Sequence, residues 1–253
     1  MFENTDQEIE TIIQKAKRCS ERCGWLSGFF RRPDHQRSAE LYSEAGHRLK
    51  YLGRNKEAAE CYLSSGDEYI ASKCCGYLFF AAEAYSNSYA LSSDKRVLMR
   101  ACELYCMNNS YSLAANCRKL LLKEEEGEEA LRSLEFLIMC YEKAGMKMHR
   151  MNQVEQKAIL CIGLGRYKEA GDCFSECGKM LYAFLAYFLE GDEKRMRELE
   201  FEHELTASFY GGERAKHARE AVAKYIEYNS VREEYSVLFE AVLNRLRPEH
   251  DIL

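Results

Sequence analysis

Proline is nearly missing from this chain. It occurs only as Pro33 and Pro248, leaving 214 consecutive residues without it. Val, Ile and Thr are scarce as well, at 18 of 253 residues. Sheets draw on β-branched strand positions and on proline-bearing turns, so these two scarcities argue against a sheet protein. None of the twelve cysteines forms a C-x-x-C pair, and the six histidines (His35, His47, His149, His203, His217, His250) follow no ligand pattern. A structural zinc site wants four ligands, usually in closely spaced pairs, so no metal site is expected. The i,i+4 pairs Cys19–Cys23, Cys102–Cys106 and Cys173–Cys177 read instead as small thiols packed between helices. The phosphate cradle G-x-x-x-x-G-K-[ST] is absent, and no Ser/His/Asp set has a local signature. The acidic run Glu124-Glu125-Glu126, with Glu128 and Glu129 beyond Gly127, fits a solvated helix end better than an acid–base pair. With no catalytic set and no expected cofactor, the chain reads as a binding module and not an enzyme.

Long apolar runs are lacking too. Leu181–Leu189 is nine residues, where a spanning helix needs roughly 20. The opening MFENTDQEIE is acidic and has neither the basic nor the apolar region of a signal peptide. Twelve cysteines behind such an opening point to a reducing compartment, and the expected location is cytoplasmic. A net charge of −5 argues against a general nucleic-acid binder. The charge is uneven, however. Residues 14–37 hold seven Lys or Arg against two acids, whereas residues 190–253 hold ten against fifteen.

What the chain does have is Ala and Leu, 52 residues of strong helix formers, and an internal repeat. L-G-R-N-K-E-A-A-E-C-Y-L-S-S-G at 52–66 recurs as L-G-R-Y-K-E-A-G-D-C-F-S-E-C-G at 164–178, with eight of fifteen positions identical. A weaker copy, Ser112 to Cys117, lies midway, so Cys61, Cys117 and Cys173 stand 56 residues apart. That interval holds three helix-plus-turn units, which is near the repeat lengths of helical solenoids. Ala39, Tyr42, Ala45 and Gly46, and likewise Ala81, Ala84 and Tyr85, fall at helical spacing as core stripes. Gly53, Gly145, Gly165, Gly191 and Gly211-Gly212 fall where helices should end. The expectation is an all-α fold of about twelve helices. It is a TPR-like, right-handed superhelical solenoid of antiparallel hairpins over residues 1–190, followed by a helical bundle and acidic tail over 191–253. Such a solenoid offers one concave and one convex surface.

One segment contradicts its surroundings. Residues 24–33, G-W-L-S-G-F-F-R-R-P, carry loop-forming glycines and proline yet hold the one tryptophan, a leucine and two phenylalanines. Such a loop either folds back on the first hairpin or enters a membrane interface. Aromatic rings favour the headgroup boundary, and each nearby Arg adds roughly 1 kcal/mol on anionic lipid. The local positive excess favours the membrane.

In this order, a basic helix, the W-L-S-G-F-F loop at 25–30 and the hairpin motifs A-E-L-Y-S-E-A-G (39–46), K-E-A-A-E-C-Y (56–62), L-M-R-A-C-E-L-Y (98–105) and S-L-A-A-N-C (112–117) resemble the soluble attachment proteins of the N-ethylmaleimide-sensitive fusion ATPase, the alpha-SNAP type, in a divergent and shortened form. The likeness covers the first 125 residues, resumes around 157–178 and fades afterwards. It implies an adaptor that binds the SNARE four-helix bundle on its concave face. Such an adaptor recruits the hexameric ATPase through its C-terminal end for SNARE disassembly in vesicle fusion, doing no chemistry itself. It would be peripherally associated with membranes. Carried over, Trp25, Leu26, Phe29 and Phe30 become the membrane contact. The acidic SNARE surface calls for a basic stripe. Lys157 matches one family lysine, while two others fall on Asn116 and about Gln153, with Arg118, Lys119 and Arg150 nearby to compensate. The family's Asp-x-Trp is replaced by Glu233-Glu234-Tyr235, and Pro248 should stop the last helix. Glu249, Asp251, Ile252 and Leu253 are then the expected ATPase contact. The alternative reading is a TPR-like scaffold that holds peptide tails or assembles a multiprotein complex.

Overall fold

A computed structural model describes residues 2–21, 33–199, 204–209, 214–229 and 231–247. Among them there are helices and turns and no strand, as the scarcity of β-branched residues predicts. The chain divides into two compact units, Met1–Glu124 and Glu125–Leu253. The first holds α1 (Phe2–Ser20), α2 (His35–Tyr51), α3 (Asn55–Ser72), α4 (Tyr77–Ser92), α5 (Lys95–Met107) and α6 (Tyr111–Leu122). The second holds α7 (Gly127–Lys143), α8 (Lys147–Gly163), α9 (Tyr167–Glu176), α10 (Met180–Glu190), α11 (Glu193–Glu198), α12 (Glu204–Ala207), α13 (Arg214–Tyr228) and α14 (Glu233–Arg245). From α1 to α6 and from α7 to α11, consecutive helices pack on one another, giving the TPR-like stack of helical hairpins. None of the described helices is long and apolar enough to cross a membrane.

The 56-residue repeat is built into the backbone. α3, α6 and α9 begin at Asn55, Tyr111 and Tyr167, and each is preceded by a left-handed residue: Gly53 at φ 75°, Asn109 at 58° and Gly165 at 72°. Asn is the residue that best replaces Gly there, because its short polar side chain tolerates that conformation. The helix before each turn closes in the same way. The N–H of Arg54 donates to the Leu49 carbonyl at 2.9 Å, Ser110 to Tyr105 at 2.8 Å and Arg166 to Cys161 at 2.9 Å, the six-to-one bond that satisfies an otherwise orphaned carbonyl. Arg54 then pairs with Glu57 and reaches Asp6, as Arg166 pairs with Glu169 and reaches Glu128. The last residue of the sequence match is a false equivalence. Gly66 lies inside α3, whereas Gly178, at φ 71°, ends α9. Of the other expected helix ends, Gly145 and Gly191 are left-handed, and Gly211-Gly212 lie outside the described residues.

Close approach between neighbouring helices uses one device three times. The ring of Tyr62 lies against Gly46, Tyr85 against Gly66 and Tyr187 against Gly171. Each phenol bonds to the residue after the glycine: Tyr62 with His47, Tyr85 to Asp67 at 2.7 Å and Tyr187 to Asp172 at 2.7 Å. A missing side chain on one helix thus receives a ring from the next, and the buried hydroxyl keeps a partner. Buried serines add a second tie. Ser38, Ser65 and Ser88 donate to the carbonyls of Ala16, Ala39 and Ala59 on the preceding helix, at 2.8–2.9 Å. Of the expected core stripes, Ala39, Ala45 and Gly46 and likewise Ala81, Ala84 and Tyr85 are buried, whereas Tyr42 is only partly buried.

In the second unit, Phe174 of α9, Leu185 and Tyr187 of α10, and Tyr235, Leu238, Phe239 and Val242 of α14 share one core. Phe209, just beyond α12, inserts between Phe184 and Phe188 of α10. α14 ends at Arg245, before Pro248.

Candidate functional site

The expected contact residues fall into three groups. Trp25, Leu26, Phe29 and Phe30 lie outside the described residues, as do Glu249, Asp251, Ile252 and Leu253. The chain on either side of the first group is nevertheless tied together: the Asp34 N–H donates to the Cys19 carbonyl at 2.8 Å, joining the end of α1 to the start of α2. The third group, the four expected SNARE-facing cations, is described. Arg118 and Lys119 are partly buried on α6 in the first unit. Arg150 and Lys157 belong to α8 in the second unit and, seven residues apart, share one helix face. Both pairs are placed by the helical hairpins that the repeat encodes.

The two α8 cations are not bare. The Lys157 ammonium, 18% exposed, donates to Glu135 of α7 at 2.8 Å. Burial alone would lower its pKa, but the Glu135 carboxylate more than offsets this and holds it above the ordinary lysine value. Arg150, 26% exposed, lies between Glu176 of α9 and Glu142 of α7, the latter at 3.8 Å. Between them is Gln153, buried, with its Oε1 making no hydrogen bond. The α8 face therefore presents cations already held by acids of both neighbouring helices. A ligand must share these cations or displace the acids.

A second polar cluster was not legible in the sequence. Glu155 of α8, 18% exposed, accepts from the Tyr235 hydroxyl and pairs with Lys179 at 3.2 Å and Arg232 at 3.4 Å. The Lys179 ammonium also donates to the Tyr235 oxygen at 2.9 Å and sits 5.1 Å from the centre of its ring. Tyr182 packs on the same ring with centroids 4.4 Å apart. Burial would raise the Glu155 carboxyl, but the Tyr235 and Lys179 hydrogen bonds and the charges of Lys179 and Arg232 hold it below the usual range. Tyr235 is thus a core residue that fastens α14 to α8. A cavity of about 600 Å³ beside this cluster is lined by Asn152, Gln156, Ile159 and Arg232 among others. In the first unit, a groove of about 910 Å³ between α1 and α2 carries Lys15, Arg18, Arg37 and Arg48 with Glu8 and Glu44. The basic count over residues 14–37 was the signal for its upper part.

The chemistry available is ionic and apolar recognition. Burial pushes the Cys61 and Cys177 thiols up to about 11 and Cys173 up to about 12, which leaves them protonated and unreactive at neutral pH. Among the described residues, no group of three His, Cys, Asp or Glu side chains is placed to hold a metal ion.

No curated protein matches the chain. Residues 7–183 match the family described as soluble NSF attachment protein, SNAP. That stretch is well over half of the sequence and includes α8, α9 and the repeat, and the chain belongs to the SNAP family.

Proposed function

We propose that this chain is an adaptor for SNARE disassembly. It binds the SNARE four-helix bundle through Arg118, Lys119, Arg150 and Lys157 and recruits an NSF-type hexameric ATPase through Glu249, Asp251, Ile252 and Leu253. Trp25, Leu26, Phe29 and Phe30 hold it at the cytoplasmic face of a membrane. The observation that carries the reading is the family match over residues 7–183. The α8 face supports it, because two cations seven residues apart on a rigid helix suit an elongated acidic partner. The acids Glu135, Glu142 and Glu176 compete for those cations, so affinity arises from an exchange of partners and falls with salt. The test is a pull-down with an assembled SNARE bundle and the hexameric ATPase. Retention of both is expected, weakened by R150Q/K157Q for the bundle and by removal of Ile252 and Leu253 for the ATPase. Retention of neither would refute the proposal.

A further inference from the structure

Of the six buried polar residues described, five have partners. Ser38, Ser65 and Ser88 donate to backbone carbonyls, Ser133 donates to Glu125, and Thr206 is partnered as well. The sixth is Gln153 of α8, 5% exposed, whose Oε1 makes no hydrogen bond. An acceptor taken out of water and left without a donor destabilises the fold. Leu or Met would fill the same space without the unpaired oxygen. The position therefore carries a cost that packing alone does not explain.

The groups around that oxygen are unevenly matched. Arg150 lies three residues before Gln153 and Lys157 four residues after, the spacings that make helical neighbours. Each guanidinium nitrogen of Arg150 is directed at another group: Nη2 at Glu176, Nε at Glu142 at 3.8 Å and Nη1 at the Met151 sulfur at 3.8 Å. The Lys157 ammonium has three N–H donors, and among the described residues its bond is to Glu135 at 2.8 Å. It keeps 18% exposure, so water can still reach its other donors in the free protein. A partner laid over α8 removes that water. Where a partner carboxylate also takes the place of Glu135, the ammonium sits in a dry interface with more donors than acceptors, the setting in which unmade bonds cost most. The neutral oxygen of Gln153, already desolvated and bonded to nothing, can then take a donor without adding charge.

We infer that Gln153 is a positioning residue of the α8 face: its buried Oε1 stays unpaired in the free protein and accepts from the Lys157 ammonium when an acidic partner covers the face. The inference rests on the reading of α8 as a surface for the SNARE bundle and adds how the exchange of acids at Lys157 is accommodated. Stability given up in the free protein is recovered on binding. Once Glu135 has let go, the bond to Gln153 also keeps the ammonium in place on α8, so that it meets the partner in one geometry.

The test uses Gln153→Met, which keeps the length of the side chain and removes the oxygen. Two measurements should move in opposite directions. The urea midpoint of Q153M should rise, because no unpaired acceptor remains. Calorimetric titration with an assembled SNARE bundle should show affinity about tenfold weaker, the effect of one hydrogen bond to a charged group. A residue that merely supported the core would lower stability and affinity together. In a K157Q background, Q153M should weaken binding no further, since the group it acts through is gone. Where the native protein binds the bundle, a lowered midpoint for Q153M, an unchanged affinity, or the same tenfold loss in K157Q would each overturn the inference and leave the SNARE reading standing. No binding by the native protein would overturn both.

Discussion

Replacing Gly66 by Ala should destabilise the first unit, although Ala is the better helix former by up to about 1 kcal/mol. An ideal Cβ at position 66 would lie 2.4, 2.7 and 2.8 Å from three atoms of the Tyr85 ring. That ring cannot withdraw. It is fully buried, its hydroxyl is bonded to Asp67 at 2.7 Å, and the Arg100 guanidinium lies 4.5 Å from its centre. Overpacking of this kind costs about 1–3 kcal/mol, so the net loss should reach about 2 kcal/mol after the propensity gain of about 1 kcal/mol. Gly46 faces Tyr62 in the same way, but its Cβ would sit 3.0–3.2 Å from the ring. A shift of a few tenths of an ångström relieves that, and G46A should be close to neutral. The second unit offers the same contrast: at Gly171 the distance to Tyr187 is 2.5 Å, whereas at Gly163 nothing lies within 4 Å. G171A should therefore destabilise, and G163A should stabilise by up to about 1 kcal/mol. Urea unfolding followed by far-UV circular dichroism measures each change, and comparing 66 with 46 and 171 with 163 keeps each pair within one unit. A G66A protein as stable as G46A would refute the argument that a pinned ring decides the outcome. So would a G66A/Y85L cycle with no coupling, since the two positions are in contact.

Three further outcomes are expected. E135Q removes the acid that holds Lys157 and should raise affinity for an acidic helical bundle, most clearly at low salt; calorimetric titration showing no gain would detach Lys157 from the binding face. Glu155 titrates below its ordinary value in the fold, so its contribution is present above the unfolded value of about 4.3 and is lost as pH falls through the folded one. Native protein should accordingly lose stability faster than E155Q as pH drops below about 4.3, and parallel pH profiles would contradict this. Among the described cysteines, Cys75 is exposed whereas Cys61, Cys173 and Cys177 are protonated by burial. Brief maleimide labelling at neutral pH followed by peptide mapping should therefore find Cys75 ahead of those three.

The helical architecture was legible because its signals are local. Each missing proline and each glycine such as Gly53 and Gly165 reports on its own turn or helix, and the motif around Cys61, Cys117 and Cys173 repeats that local report at a fixed interval. The same locality misled at Gly66 and Gly178, which align in sequence although one is mid-helix and the other ends a helix. Asn109 escaped notice because its role as a glycine substitute shows only in its backbone angle. The site was less legible for a related reason. Lys157 could be picked out by a motif, but Glu135 is 22 residues away, and Tyr235 is 80 residues from Glu155. Neither distance leaves a pattern along the chain. What a cation is paired with, which decides how freely it can meet a partner, is a tertiary property.

The repeat has a consequence for how surfaces diverge. Its period is three helices, an odd number, and successive helices run in opposite directions. Turns that are equivalent in sequence are therefore delivered to opposite sides of the first unit: the one at Gly53 to the side of the ion pairs, the one at Asn109 to the side of Phe80 and Met107. Copying a two-helix module copies its surface. Copying a three-helix module turns the copy over, so each turn can acquire its own chemistry while the backbone signal that shapes it stays the same.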